Sequence, residues 1–266
     1  MPDDAPRADA QPVLDHVAVG TKTLEDGWQL FGGLLGGAWA YGGYSPGFWW
    51  GQLGFSAGPK VELLTPTIGA DAAFLERFLA ERGPGVHHLN FIVPAIEVTL
   101  GKVRALGIEP VGIRLGNPRW KEAFLHPGDA YGTVVQVAEQ ERPPEPSSPP
   151  AALGEPGRSC ALSLVEQRVA DIDGAVRLFR DALDGEVVSQ RDTPDGLVAE
   201  LSWPNLARLR LVQSAADGSA SMRPEQGIRR LRFTRDDGTF GPAEVEKAAV
   251  LARRLGVPLQ LGEVDW

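Results

Sequence analysis

The chain repeats itself, and the repeat limits what it can fold into. PVLDHVAVG (12–20) and GVHHLNFIV (85–93) are alternating apolar runs with a histidine at the same place. Each leads into an amphipathic stretch, TLEDGWQLFGGLLG (23–36) and AIEVTLGKVRALG (95–107). Each later closes on another alternating run, KVELLTP (60–66) and GTVVQVAEQ (132–140), with FWWGQLGF (48–55) and WKEAFLHP (120–127) lying between. Period-two alternation predicts strands and the 3.6-residue pattern predicts helices; three strand runs and a helix stand out in each stretch, and each is read as a β-α-β-β-β module. A small repeated module cannot bury its apolar face by itself and has to find another copy.

The second half carries the theme on. ALSLVEQRVADIDGAVRLFRDALDGEVV (161–188) has the same strand, helix and Gly-ended stop, with Leu178-Phe179 matching Leu30-Phe31. GLVAELSW (196–203) and LARLRLVQS (206–214) supply the later strands of this third module. GIRRLRFT (227–234) matches GVHHLNFI, and PAEVEKAAVLARRLG (242–256) follows as its helix, so a fourth module is expected to lack its last two strands. Residues 141–157, ERPPEPSSPPAALGEPG, hold six prolines and predict a semi-rigid linker. The expected organisation is a disordered tail over 1–11, a two-module domain over 12–140, the linker, and a degenerate two-module domain over 158–266. A weaker break is read at 214–227.

Composition excludes several functions. The 266 residues are 43% hydrophobic and 23% charged, ordinary values for a soluble globular chain, and the expected fold class, from the repeat, is α+β. The net charge of −9 argues against a nucleic-acid partner. No apolar run reaches the ~20 residues of a membrane span, and MPDDAPRADAQ lacks the basic-then-apolar order of a signal peptide. A cytoplasmic protein is expected. The one cysteine, Cys160, rules out an internal disulfide framework and a Cys-based zinc site, and it reads as a small core residue. GGLLGGAWAYGG is Gly-rich but lacks the strand-turn-helix setting of a dinucleotide site.

Chemistry enters through the repeated histidines. Glu62 follows His16 by 46 residues and Gln136 follows His88 by 48, on equivalent closing strands. If the two modules face each other about a pseudo-twofold axis, His16, Glu62, His88 and Gln136 converge. Two imidazoles with oxygen donors suit one divalent ion of Fe, Co, Ni, Mn or Zn rather than calcium. A single carboxylate leaves a charge near +1, which favours a bound oxyanion or enolate. Asn90 shares a face with His88. Trp50 reads as a ring on the cleft wall beside Phe48 and Trp49, and Lys121 and Glu122 as substrate contacts at its mouth. His87 reads as structural on the opposite strand face, and His126 as holding a turn.

The pattern HVAVG…KVELLTP…GVHHLNFIV…FLHPGDAYGTVVQVAEQ resembles the vicinal oxygen chelate superfamily, above all its glyoxalase I and methylmalonyl-CoA epimerase branch. The resemblance covers 12–140, and it extends to 158–266 through the repeat. It implies the glyoxalase/bleomycin resistance/dioxygenase fold, with tandem βαβββ modules around a divalent metal and the same four residues as ligands. This chain departs by placing its carboxylate in the first module and an amide, Gln136, in the second. Glu62 is then the expected proton-transfer base of a metal-dependent isomerase or lyase that stabilises the enolate of a small oxygenated substrate. One alternative is an Fe(II) dioxygenase using His16, His88 and Glu62. Another is a small-molecule binding or resistance protein.

In the second half the matching positions are Leu164 for His16, Arg210 for Glu62 and Arg230 for His88. Arginine stays protonated and repels a cation, so this half is expected to carry no metal. A scaffold role is favoured over an anion pocket. The short last module leaves a sheet edge to be covered, which makes a homodimer an expectation.

Overall fold

The computed structural model describes residues 11–67, 73–194, 196–214, 226–235 and 239–262; most of the expected tail and most of the break at 214–227 lie outside them. The first module comprises β1 (Val13–Gly20), α1 (Leu24–Phe31), β2 (Ala38–Ser45), β3 (Phe48–Gly54) and β4 (Lys60–Pro66). Helix α2 (Ala73–Arg82) leads to the second module: β5 (Gly85–Ile92), α3 (Ile96–Ala105), β6 (Val111–Arg114), β7 (Trp120–Leu125) and β8 (Val134–Gln140). The third has β9 (Ala161–Arg168), α4 (Ile172–Arg177) with a π-helical continuation over Leu178–Ala182, β10 (Glu186–Thr193), β11 (Gly196–Ser202) and β12 (Arg208–Ser214). The fourth has β13 (Gly227–Thr234), α5 (Pro242–Arg254) and β14 (Leu259–Leu261).

The strands hydrogen-bond in two sheets, β2-β3-β4-β1-β5-β8-β7-β6 and β10-β11-β12-β9-β13-β14. The first order is a four-strand run followed by its mirror image, which is the sequence repeat expressed as topology. The closing strand of the first module lies parallel to its opening strand, with Ala18 opposite Glu62, and antiparallel to β3, with Gln52 opposite Glu62. The β-α-β-β-β reading of 12–140 therefore holds, as does the α+β class.

Local chemistry accounts for the element ends. Thr23 caps α1 by accepting from the Asp26 N–H at 3.2 Å, and Asp171 caps α4 through the Gly174 N–H at 3.0 Å. β2 is hard to read in sequence because Gly42 and Gly43 dilute its alternation. Gly42 and Gly51 lie under the Trp39 ring, where an added Cβ would stand 2.4 Å from ring carbons, so the close approach requires glycine at both. The linker has neither helix nor strand, and Ser147 in it accepts from Trp39 Nε1 at 3.1 Å and from the Gly42 N–H at 3.0 Å.

Contacts divide the chain into two compact units, each drawing on both halves of the sequence. Unit one takes in Met1–Asp15, Leu89–Pro143 and Glu166–Gly227; unit two takes in His16–His88, Pro144–Val165 and Ile228–Trp266. In unit two Phe31 packs against Phe233, with ring centroids 6.1 Å apart. In unit one Phe179 packs against Phe91 at 5.9 Å. All four rings are fully buried. Each pair joins a helix of one half to a strand of the other, so the apolar face that each module exposes is covered by a module from the opposite half. No helix among the described residues is long and apolar enough to cross a membrane.

Candidate metal centre

Unit two brings His16, Glu62 and His88 together. They come from β1, β4 and β5 and are 1%, 9% and 5% exposed. One donor atom of each lies within 4.8 Å of the others. His16 Nε2 is 3.4 Å from Glu62 Oε2, and the two imidazoles meet edge to face with centroids 5.8 Å apart. Donors ~2.0–2.2 Å from one ion stand roughly 3–4.4 Å apart, so the cluster closes on a metal with a shift of a few tenths of an ångström. Two imidazole nitrogens and a carboxylate oxygen are the donor chemistry of Fe, Co, Ni, Mn or Zn. The residues present fit such an ion.

Two neighbours hold these side chains from behind. Gln52 Nε2 donates to Glu62 Oε1 at 3.0 Å and lies 3.3 Å from His16 Nδ1. Gln52 is 5% exposed and its Oε1 is buried with no hydrogen-bond partner. His87 Nδ1 lies 2.8 Å from His88 Nδ1. His87 also packs on Phe74 and Phe78. Burial lowers its pKa to about 4; Glu62 pulls upward and Arg82 adds to the lowering. The strand alternation that makes His87 look merely structural places its ring on the other face, yet the two Nδ1 atoms, close to the main chain, still meet. Gln52 was not among the expected site residues. A usable signal existed, because a strand position directly opposite Glu62 faces the same way as Glu62.

Trp50 belongs to this unit too. It lies two residues before Gln52 on β3 and packs partly buried against Ala18, Leu64 and Leu75.

Unit one holds a separate polar network. Gln136 on β8 is 7% exposed. Its Oε1 accepts from Asn90 Nδ2 at 2.9 Å, and its Nε2 donates to Glu122 Oε2 at 2.8 Å. Glu122 also accepts from Trp120 Nε1 at 3.0 Å and from Arg114 Nη1 at 3.2 Å. Asn90 Oδ1 is buried without a hydrogen-bond partner. Lys121 faces elsewhere and donates to Glu139 at 2.6 Å, and that bond raises its pKa. Burial works to raise the Glu139 pKa, but Lys121 and the Ile96 N–H outweigh it and hold the carboxyl below its ordinary range. Asn90, Glu122 and Gln136 thus meet one another, while Lys121 is engaged in an ion pair. His126 accepts from the Gly128 N–H at 3.1 Å, as a turn-holding residue does.

The matching positions of the third module are filled without a cation site. Leu164 is buried, and Arg210 donates to Glu200 Oε1 from Nε at 2.9 Å and from Nη2 at 2.6 Å. Arg210 Nη1 is also 3.7 Å from Glu166.

No protein-family model and no curated protein matches the chain. Among solved structures, a triply substituted 4-hydroxymandelate synthase from Streptomyces coelicolor matches 91% of this chain and 75% of its own, at 13% identity and TM-score 0.60. A fusion of a xylose isomerase-like TIM barrel with 4-hydroxyphenylpyruvate dioxygenase matches 92% of this chain and 39% of its own, at 15% identity and TM-score 0.55. Methylmalonyl-CoA epimerase from Mycobacterium tuberculosis matches 49% of this chain and 89% of its own, at 24% identity and TM-score 0.44. At such identities the likeness is one of fold, and the first two extend it over both halves.

Proposed function

We propose that this chain, a member of the vicinal oxygen chelate superfamily by its fold, is a metal-dependent enzyme acting on a small oxygenated substrate, and that its reaction is an isomerisation or lyase step. The observation that carries the reading is the buried meeting of His16, Glu62 and His88 in unit two, with donor atoms within 4.8 Å. A buried acid is costly unless it is hydrogen-bonded, paired or on a metal, and a shared metal would serve all three side chains at once.

When bound, a divalent ion would polarise a substrate carbonyl as a Lewis acid. His16 and His88 would hold it as neutral donors, and Glu62 would contribute one negative charge. Glu62 takes up and returns the proton on the carbon beside that carbonyl. Gln52, bonded to Glu62 Oε1, fixes the carboxylate's direction. The module repeat nominates Gln136 as a further, neutral donor; weaker metal uptake by a Gln136→Leu variant would support it.

A second reading is an Fe(II) oxygenase, favoured by the two-His-one-carboxylate donor set. Metal analysis of protein purified without added metal, followed by deuterium wash-in on 2-oxo and 2-hydroxy acids, separates the two. The isomerase reading expects exchange at the carbon beside the carbonyl without oxygen uptake. Tightly held iron with oxygen consumption would transfer the assignment to the oxygenase. Glu62→Gln is expected to abolish exchange while the far-UV circular dichroism is unchanged; full activity in that variant would remove Glu62 as the base.

A further inference from the structure

We infer that Lys60 is a substrate-binding residue, which selects a carbonyl compound carrying a carboxylate a few bonds from the carbonyl. The inference rests on the metal reading of His16, Glu62 and His88 and adds the class of substrate to it.

The residues concerned all belong to unit two, and strand register sets them on one face. Lys60 lies two residues before Glu62 on β4 and opposite His16 on β1. Alternation points the Lys60 and Glu62 side chains the same way, roughly 6.6 Å apart along the strand. Across the sheet, Gln52 lies opposite Glu62 and Tyr41 lies opposite Gln52. Gly54, two residues beyond Gln52, shares that face. A Cβ built on Gly54 would meet, among the described residues, only the Ala38 carbonyl oxygen, at 4.0 Å. The face beside the three buried donors is therefore open at Gly54, with Lys60 and Tyr41 at its border.

The opposite end of the same face is filled. Trp50 packs against Ala18, Leu64 and Leu75, together with Phe78 and Leu79 of α2. Its ring meets Tyr41 edge to face, with centroids 6.3 Å apart. Lys60 Nζ lies 5.8 Å from the centre of the Tyr41 ring, within reach of a cation–π attraction. A packed aromatic wall, Trp50 and then Tyr41, thus holds the ammonium on the side of the donor cluster.

Charge gives this arrangement its meaning. A divalent ion with a single carboxylate ligand keeps a net positive charge. A lysine ammonium on the same face repels it. Lys60 therefore hinders the metal unless an anion lies between the two. A substrate with its carbonyl oxygen toward the ion and its carboxylate on Lys60 supplies that anion. Lysine suits the task, because its charge is compact and its stem flexible enough to leave the tyrosine ring for an ion pair. Tyr41 then offers an apolar wall to the carbons between the two ends.

The test uses two probes, butyrohydroxamate and succinic monohydroxamate. They share a metal-chelating head and differ at the far end, a methyl group against a carboxylate. Calorimetric titration into the zinc-loaded full chain gives both affinities. The parent is expected to prefer the carboxylate probe about tenfold, the size of one charge-assisted hydrogen bond. Lys60→Met is expected to lose the preference, while it binds butyrohydroxamate as the parent does and zinc at least as tightly. Lys60→Arg is expected to keep the preference. A parent that binds both probes equally, or a folded Lys60→Met protein that still prefers the carboxylate, would overturn the inference and leave the metal reading standing. A parent that takes up no zinc would sink both.

Discussion

The Gln52–Glu62 pair of the first module and the Glu200–Arg210 pair of the third occupy one backbone frame. In each the two residues are ten apart in sequence, lie directly opposite on antiparallel strands, and are at most 9% exposed. Their chemistry differs. In the first module an amide holds a carboxylate whose Oε2 lies 3.4 Å from His16 Nε2. In the third a guanidinium is built in, bonded to Glu200 and 3.7 Å from Glu166, and an aliphatic residue, Leu164, stands where His16 does. On the proposed metal reading, the module frame takes an external cation in one copy and one of its own in the other. What it does not accept is a buried acid with neither. Arg210 is thus already engaged with two carboxylates.

The largest expected effect comes from breaking the metal-free side. Arg210→Leu removes the two short bonds to Glu200, leaving it only Arg191 and Arg208 at 3.8 and 3.9 Å, and is expected to cost about 3 kcal/mol, read from urea midpoints. A loss below 1 kcal/mol would mean that the built-in cation does not stand in for a metal. Next, zinc at ~100 times its dissociation constant should add about 2.7 kcal/mol to the parent's stability. Arg210→Leu should keep this gain and Glu62→Gln should lose it; a loss in Arg210→Leu would mean that the two modules' sites are coupled. Smaller still, Phe233→Leu and Phe91→Leu should each cost about 1 kcal/mol, because the two aromatic pairs are equivalent staples and the swap nearly conserves volume. Strongly unequal costs would break the symmetry drawn between the units.

The smallest effect sharpens a feature of the fourth module. Arg235 grips Glu244 at 2.9 and 3.1 Å. That contact, with the Gly241 N–H, lowers the Glu244 pKa from 4.5 to about 2. A lowered carboxyl pKa contributes stability that is fully present above pH 4.5 and is lost as pH falls toward 2. After solvent screening the contribution is below about 1 kcal/mol. Glu244→Gln should therefore lower stability at neutral pH by less than about 1 kcal/mol and flatten the acid limb of a stability profile in that window; an identical acid limb would refute it.

The sequence alone determined the module plan, because strand and helix periodicities are local and the repeat aligns them. It also put His16, Glu62 and His88 forward, since repetition makes distant positions geometrically equivalent. It left β2 obscure, because Gly42 and Gly51 answer to the Trp39 ring rather than to strand propensity. It left α2 unmarked as well, a helix outside the repeat. Only tertiary structure decided that each compact unit joins modules from opposite halves, because apolar faces are nonspecific and periodicity does not name the partner that covers them. The same holds for Gln52 and His87. Each touches a neighbouring side chain of the cluster, and which one depends on strand register and side-chain direction rather than on a local pattern in the chain.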